Sequence, residues 1–212
     1  RLASEYPDVW VHTHLAENMD DVEEIARLFP DSRSYLDVYE QHGLLRERAV
    51  FAHCLHMDAQ DRRSMATAGG AAAFCPTSNL FLGSGLFDLS SMREAGIRCG
   101  LGTDVGGGTS LSLLRTASEA YKVLHLQEHA LPAARALYLA TLGAAEALYL
   151  DDKIGNFAPG KEADFAVLDY EGTTLTKRRI AAASTIEEKL FALITLADDR
   201  NIAATYVNGE QV

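Results

Sequence analysis

Cysteine is scarce in this chain: 212 residues contain three, Cys54, Cys75 and Cys99. No two of them form a Cys-x-x-Cys pair. An odd number of widely spaced cysteines argues against a disulfide framework and fits a reducing compartment. We therefore predict a cytoplasmic protein.

Long apolar runs and basic residues are also few. The apolar stretch at 71–74 is far shorter than the roughly 20 residues that a membrane helix needs. The chain has 19 Lys and Arg against 30 Asp and Glu, a formal net charge of −11. A surface of this sign repels phosphate backbones, so a nucleic acid is not an expected partner. The lack of a long apolar stretch likewise makes a membrane an unexpected partner. The one basic run, at 177–179, is predicted to be a solvated turn.

What is present is typical of a globular protein, with 48% hydrophobic and 23% charged residues. Short apolar runs alternate with polar stretches of helical spacing. Strands are predicted at 9–11, 49–52, 71–74 and 97–103, and helices at 20–29, 58–68, 111–124 and 132–149. Strands separated by helices favour a parallel sheet, which is either half of an eight-stranded barrel or an open doubly wound sheet.

The composition changes at the turn-rich segment 155–160. We predict a first unit at 1–150 and a second, smaller unit at 151–212. The second unit has predicted strands at 163–168 and 205–208 and a helix at 185–196. Thr185 is a suitable N-cap for that helix, with Glu188 three residues later.

Three of the four predicted strands end at a residue that can bind a metal: His14, His53 and Asp104. A single histidine is more often structural, and a single aspartate is more often a helix cap. In parallel α/β folds, however, the carboxyl ends of the strands meet at one edge of the sheet and carry the chemistry. Three such residues at the same edge indicate a metal or catalytic site.

His12 and His14 lie two positions apart on the first strand, so both imidazoles could face one metal. Alternatively only His14, which is nearer the open end, reaches the metal, or neither does. Glu17 follows three residues later, where the strand gives way to a loop. Its carboxylate could fold back over the site and carry protons there, or it could be an ordinary solvated residue near a helix start.

Two familiar motifs are missing. The glycine-rich segment at 102–108 contains neither the Walker A nor the dinucleotide-binding pattern. The segment around Cys75 lacks the Pro-Cys-x-x-Cys of the cytidine-deaminase zinc site, so Cys75 is expected to be structural.

Several motifs together resemble the later barrel motifs of the amidohydrolase superfamily. They are His-Thr-His-Leu-Ala-Glu-Asn at 12–18, Ala-His-Cys at 52–54, Cys-Pro-Thr-Ser-Asn-Leu at 75–80 and Gly-Thr-Asp-Val-Gly-Gly-Gly at 102–108. The segments 35–39, 81–86, 154–157 and 198–202 are similar to those of its guanine deaminase branch.

The resemblance implies an α/β fold: the second half of a TIM-type (β/α)8 barrel over 1–150, then part of a small β-sandwich domain with a helix over 151–212. It also implies one divalent metal, zinc or alternatively iron. In this pattern His14 and Asp104 are metal ligands, Glu17 is the proton shuttle, and His53 contacts the water or the substrate. Asp104 also acts as the general base, and these four residues contact the substrate. His12 has no ligand role.

Two parts of the family pattern are absent. They are the His-x-His metal pair of the first barrel strand and the Arg-Phe pair that grips the purine. Both would lie upstream of Arg1, so we expect the chain to be a C-terminal portion that is inactive by itself.

The implied reaction is hydrolysis of guanine to xanthine and ammonia, a step of purine catabolism. The resemblance also implies a homodimer. The rival hypotheses are a related hydrolase, such as an 8-oxoguanine deaminase or a triazine hydrolase, and a non-catalytic metal-binding or interaction module. The loop that grips the base would discriminate between the hydrolases.

Overall fold

Parallel strands form the larger sheet of the computed structural model, which describes residues 2–212. The strands are β1 (Val11–Leu15), β2 (Ala49–His53), β3 (Ala71–Phe74) and β4 (Arg98–Leu101). They lie side by side in chain order, and every neighbouring pair is parallel. The predicted parallel βα arrangement is confirmed.

Helices connect and cover these strands. They are α1 (Leu2–Glu5), α2 (Met19–Leu28), α3 (Tyr35–Gln41), α4 (Ala59–Ala68), α5 (Pro76–Leu82), α6 (Leu89–Glu94), α7 (Leu113–Leu126), α8 (Ala133–Ala140) and α9 (Leu142–Ala147). The short helices α3, α5 and α6 were not predicted, because segments of six or seven residues carry too few turns for a clear helical period.

The first strand is displaced from its predicted position. It was expected at 9–11, but it runs over Val11–Leu15 and so includes His12 and His14. The reason is pairing: β1 continues in register with β2 as far as the Leu15–His53 pair. Backbone hydrogen bonds to a neighbour thus extend the strand over residues whose side chains are polar.

Two other predictions are wrong. The alanine-rich stretch at 132–149 is not one helix, because Thr141 leaves the helical conformation between α8 and α9. The basic run at 177–179 is not a turn but part of helix α10 (Thr174–Ala181). A capping box between Thr173 and Thr176 begins that helix and satisfies its first free N–H groups.

The core lies between the sheet and its helices. All five residues of β2 are buried, as expected for a central parallel strand. Phe51, Phe74 and Phe87 are completely buried, and the rings of Phe74 and Phe87 stack with centroids 4.5 Å apart. Burying each such side chain stabilises the fold by about 1.5–3 kcal/mol. This packing holds the strand ends in fixed positions.

A smaller antiparallel sheet follows, made of β5 (Phe165–Leu168), β6 (Ile202–Val207) and β7 (Glu210–Gln211). In chain order, helix α11 (Ile186–Leu196) comes between β5 and β6. It begins with the predicted capping box of Thr185 and Glu188. Leu193 and Ile194 of α11 are buried in the same core as α7 and α8. The division of the chain at residue 150 remains a prediction.

Over residues 2–212, the structure has no helix with the length and apolar character needed to cross a membrane. All three cysteines are free thiols and buried.

Candidate active site

His14, His53 and Asp104 come together at the carboxyl edge of the parallel sheet. One possible ligand atom from each lies within 4.8 Å of those of the other two. The rings of His14 and His53 are 5.3 Å apart between centroids. Strands that are distant in sequence therefore converge on one spot, as the strand-end positions predicted.

Glu17 joins this group from the loop after β1. Its Oε2 lies 3.6 Å from Nε2 of His53, and Oδ2 of Asp104 lies 3.8 Å from the same nitrogen. The side chain of Glu17 is only 17% exposed, so it is not an ordinary solvated residue. Asn18, the next residue, caps α2 through its side chain, which fixes where the loop ends.

His53 reaches the site because the alternation of side chains between the two faces of β2 is interrupted at this last residue of the strand. In the sheet His53 is paired with Leu15, whose side chain is buried in the core, whereas His14 is paired with Ala52. Regular alternation would therefore place His53 and His14 on opposite faces. The backbone of His53 is left-handed, with φ of 71°, and this turns its side chain towards His14.

The site contains further left-handed residues that are not glycine. They include Ala16, with φ of 48°, and Asp104, with φ of 49°. Such conformations cost about 1–3 kcal/mol each and persist where the surrounding structure imposes them, often at functional sites. At these strand ends the backbone therefore adopts a strained conformation that places the side chains at the site, at a cost in local stability.

His12 stays outside this group. It is exposed on β1, and the residues that could jointly bind a metal include His14 but not His12. Of the alternatives left open by the sequence, the geometry favours the one in which His14 alone contributes from this strand.

Sequence reasoning missed two residues of helix α5 and the turn that follows it. Nδ2 of Asn79 donates a hydrogen bond to Nδ1 of His53 over 2.9 Å. Oγ of Ser84 donates one to Oε1 of Glu17 over 3.2 Å. Both residues lie in quoted motifs, 75–80 and 81–86, and their only sequence signal was the position of those motifs after a strand end.

The glycine-rich loop allows the strand end of Asp104 to approach α5. A Cβ on Gly107 would lie 2.6 Å from Oγ of Ser78 and 3.4 Å from Oδ2 of Asp104. Because real Cβ atoms do not approach other atoms to the first of these distances, a side chain at position 107 would force Ser78 to move.

Burial lowers the pKa of His53, while the charges of Glu17 and Asp104 work in the opposite direction. A neutral imidazole is thereby favoured at the centre of the site. Burial raises the pKa of the Cys75 thiol to about 12. Cys75 is therefore held as a protonated thiol, in agreement with the structural role predicted for it.

The donor set suits a divalent metal. It combines imidazole nitrogens with a carboxylate, the ligand types that zinc prefers. Nε2 of His53 is buried and has no hydrogen-bond partner among the described residues, which indicates that the site receives another polar group.

Comparison with known proteins agrees with this geometry. The sequence pattern described as the amidohydrolase family matches residues 1–212. Guanine deaminase of Escherichia coli is 50% identical to this chain. The aligned region covers 100% of this chain and 48% of the relative. A probable guanine deaminase of Deinococcus radiodurans is 41% identical over 98% of the chain and 48% of the relative. The chain thus spans about half the length of the curated relatives it matches.

Solved structures give the same result. The E. coli guanine deaminase structure superposes with a TM-score of 0.98 at 50% identity, over 100% of this chain and 50% of that one. A C. acetobutylicum guanine deaminase with bound guanine gives a TM-score of 0.88 at 29% identity, over 100% of this chain and 50% of that one. A Xanthomonas campestris adenosine deaminase with bound zinc gives a TM-score of 0.86 at 25% identity, over 99% of this chain and 46% of that one.

These matches confirm the predicted fold class, since the chain has the α/β architecture of TIM-barrel amidohydrolases and corresponds to about half of such a protein. The open doubly wound alternative is not supported. This chain belongs to the amidohydrolase family.

Proposed function

We propose that this chain supplies half of the active site of a guanine deaminase, which hydrolyses guanine to xanthine and ammonia. The observation that carries the proposal is the convergence of Glu17, His53 and Asp104 beside His14. The similarity to proteins named guanine deaminase supports the choice of substrate.

His14 and Asp104 would hold the divalent metal, with zinc favoured over iron because a similar structure carries zinc. When bound, such a metal lowers the pKa of water towards about 7 and so supplies a nucleophile at neutral pH.

The protein side chains would move the protons. Asp104 accepts a proton from the attacking water as the C–O bond forms at the carbon that bears the exocyclic amine. Glu17 gives its proton to the ring nitrogen and takes the proton of the new hydroxyl group as the carbonyl forms. The proton held by Asp104 passes to the amine, which leaves as ammonia when the C–N bond breaks. His53 holds the nucleophile or the developing charge. Each such proton-transfer role contributes roughly 10²–10⁴-fold to the rate.

Three other predictions accompany this function. Residues 1–150 belong to the barrel and residues 151–212 to the sandwich domain, the enzyme works in the cytoplasm, and it can form homodimers. Each can be measured separately, by limited proteolysis, by cell fractionation and by light scattering.

The test uses a half-swap enzyme, meaning E. coli guanine deaminase in which the matching half is replaced by this chain. The fit between the two folds, with a TM-score of 0.98, makes the exchange feasible. We expect zinc-dependent loss of the ultraviolet absorbance of guanine together with release of ammonia, and much slower turnover of 8-oxoguanine, adenine and a chlorotriazine. Absence of guanine turnover would refute the proposal that this chain completes a guanine deaminase site. Because the loop that grips the base comes from the E. coli half, the choice of substrate is tested in the protein encoded by the complete gene, where preferred turnover of one of these other compounds would refute guanine.

The chain alone should hold metal poorly, because we propose that it provides only two of the ligands. One tightly held zinc per chain in elemental analysis would contradict this ligand set and would reopen the role of His12.

A further inference from the structure

Asn79 contacts the one histidine of the site that is completely enclosed. His53 and Asn79 are each only 1% exposed. The hydrogen bond of 2.9 Å between Nδ2 of Asn79 and Nδ1 of His53 is therefore shielded from water. On the other side of the ring, Nε2 faces Oε2 of Glu17 and Oδ2 of Asp104.

The direction of this hydrogen bond decides where the imidazole carries its proton. With Nδ2 of Asn79 facing the ring, Nδ1 of His53 must offer its lone pair, because an amide nitrogen can only donate. In this orientation Oδ1 of Asn79 is buried and has no hydrogen-bond partner among the described residues. A neutral imidazole has one N–H, which is then on Nε2. Nε2 becomes a donor aimed at the two carboxylates and at the space between them.

The position of this proton also separates the metal ligands from the other polar groups. A nitrogen that carries a proton has no lone pair to give to a metal. Of the three residues that could jointly bind one, His14 and Asp104 remain available, whereas His53 does not. His53 is left to donate a hydrogen bond to the nucleophile or to the substrate.

The backbone of α5 holds Asn79 in place. Its N–H donates to the carbonyl of Cys75 at the end of β3, over 3.0 Å. Its carbonyl accepts the N–H of Gly83 at the helix C-cap, and that of Ser84 over 2.9 Å. Ser84 in turn donates to Glu17. One short helix with its C-terminal turn thus touches both His53 and Glu17.

We propose that Asn79 is a positioning residue that fixes the Nε2–H tautomer of His53 and so keeps His53 from binding the metal. The proposal deepens the deaminase function proposed above, and rests on it for the role of His53 in turnover.

The tautomer can be measured directly in the zinc-loaded half-swap enzyme with 15N-labelled histidine. Two-bond couplings in the nitrogen–proton spectrum distinguish the two tautomers, and the His53 signals are assigned by their loss in His53→Gln. We expect the proton on Nε2. A proton on Nδ1, with Nε2 shifted as in a metal-bound imidazole, would overturn the proposal without any variant of Asn79.

Asn79→Asp supplies the complementary perturbation. A carboxylate accepts where the amide donates, so the proton of His53 should move to Nδ1 while the zinc content stays at the unmutated level or rises. We expect kcat to fall by at least about 10-fold as the donor at Nε2 is lost. Asn156→Asp is the matched control: this exposed asparagine uses its side-chain oxygen as an acceptor for Ala158, a role that aspartate preserves. Its spectrum and turnover should not change.

The two proposals fail separately. If the half-swap enzyme does not deaminate guanine but His53 carries its proton on Nε2, the proposed deaminase function is wrong and the positioning role stands. If guanine is deaminated and Asn79→Asp leaves both tautomer and kcat unchanged, the positioning role is wrong and the enzyme assignment stands.

Discussion

Glu17→Gln removes a carboxylate that can carry a proton while keeping the length and shape of the side chain. In the structure, Oε1 of Glu17 accepts a hydrogen bond of 3.2 Å from Ser84, and the carbonyl oxygen of glutamine can accept the same bond. Oε2 lies 3.6 Å from Nε2 of His53, close enough for a shared proton path but without a hydrogen bond that the substitution would break. The effect should therefore be confined to proton transfer.

The magnitude follows from that restriction. Loss of a positioned proton-transfer group typically lowers the rate by about 10²–10⁴-fold, which corresponds to roughly 2.7–5.4 kcal/mol of transition-state stabilisation. We expect kcat of the half-swap enzyme to fall within this range. The zinc content should remain unchanged, because Glu17 is not among the residues that can jointly bind the metal.

The assay is steady-state loss of guanine absorbance, with elemental analysis on the same preparation. Glu23→Gln is the matched control, since it makes the same change on the exposed surface of α2 and should leave kcat unaltered. Near-normal turnover of Glu17→Gln would refute the shuttle role. Loss of zinc from this variant would show instead that Glu17 is a ligand.

Three further predictions concern binding and stability. Asp104→Asn in the half-swap enzyme should reduce zinc content and kcat together, and elemental analysis showing a full zinc complement would contradict its role as a ligand. Gly100→Ala should destabilise the fold by about 1–3 kcal/mol in urea unfolding, because a Cβ at Gly100 would lie 2.7 Å from Cα of Ala144; an unchanged midpoint would contradict this close packing. The hydrogen-bonded guanidinium of Arg200 lowers the pKa of Asp198 to about 2 in the fold, below its unfolded value of 3.8. The pair therefore contributes stability above pH 3.8 that is lost as the pH falls towards 2. Asp198→Asn should lower the free energy of unfolding at pH 7 by about 0.2–1 kcal/mol, since Arg200 is largely exposed. In thermal unfolding followed by circular dichroism, the difference from the unmutated chain should shrink as the pH falls from 3.8 to 2. A difference as large at pH 2 as at pH 7 would contradict the pair.

Much of the architecture could be predicted from the sequence because it depends on local patterns. Apolar runs separated by polar helical segments predicted parallel strands in a βα order, and β1 to β4 have that order. The capping box of Thr185 and Glu188 was readable because its two residues lie within one helical turn. Polar residues after three apolar runs likewise indicated that His14, His53 and Asp104 would meet.

The tertiary structure decided which atoms face each other. Sequence spacing left His12 and His14 equivalent. The family resemblance favoured His14, and the convergence of the neighbouring strand ends on His14 agrees with it. Strict alternation along β2 would have turned His53 away from the site, and a left-handed backbone at the strand end reverses that direction.

Asn79 and Ser84 could be quoted as parts of motifs, but their functions could not be assigned from the sequence. They lie 26 and 67 positions from the residues they contact, His53 and Glu17. Hydrogen bonds across such separations depend on how α5 packs against the strand ends, and a packing orientation has no local period in the sequence. The sequence patterns by themselves therefore determined the parallel βα order and the candidate site residues, and the family resemblance supplied the barrel. The tertiary structure alone decided the direction of each hydrogen bond at the site, because those bonds form between segments that only the folded core brings together.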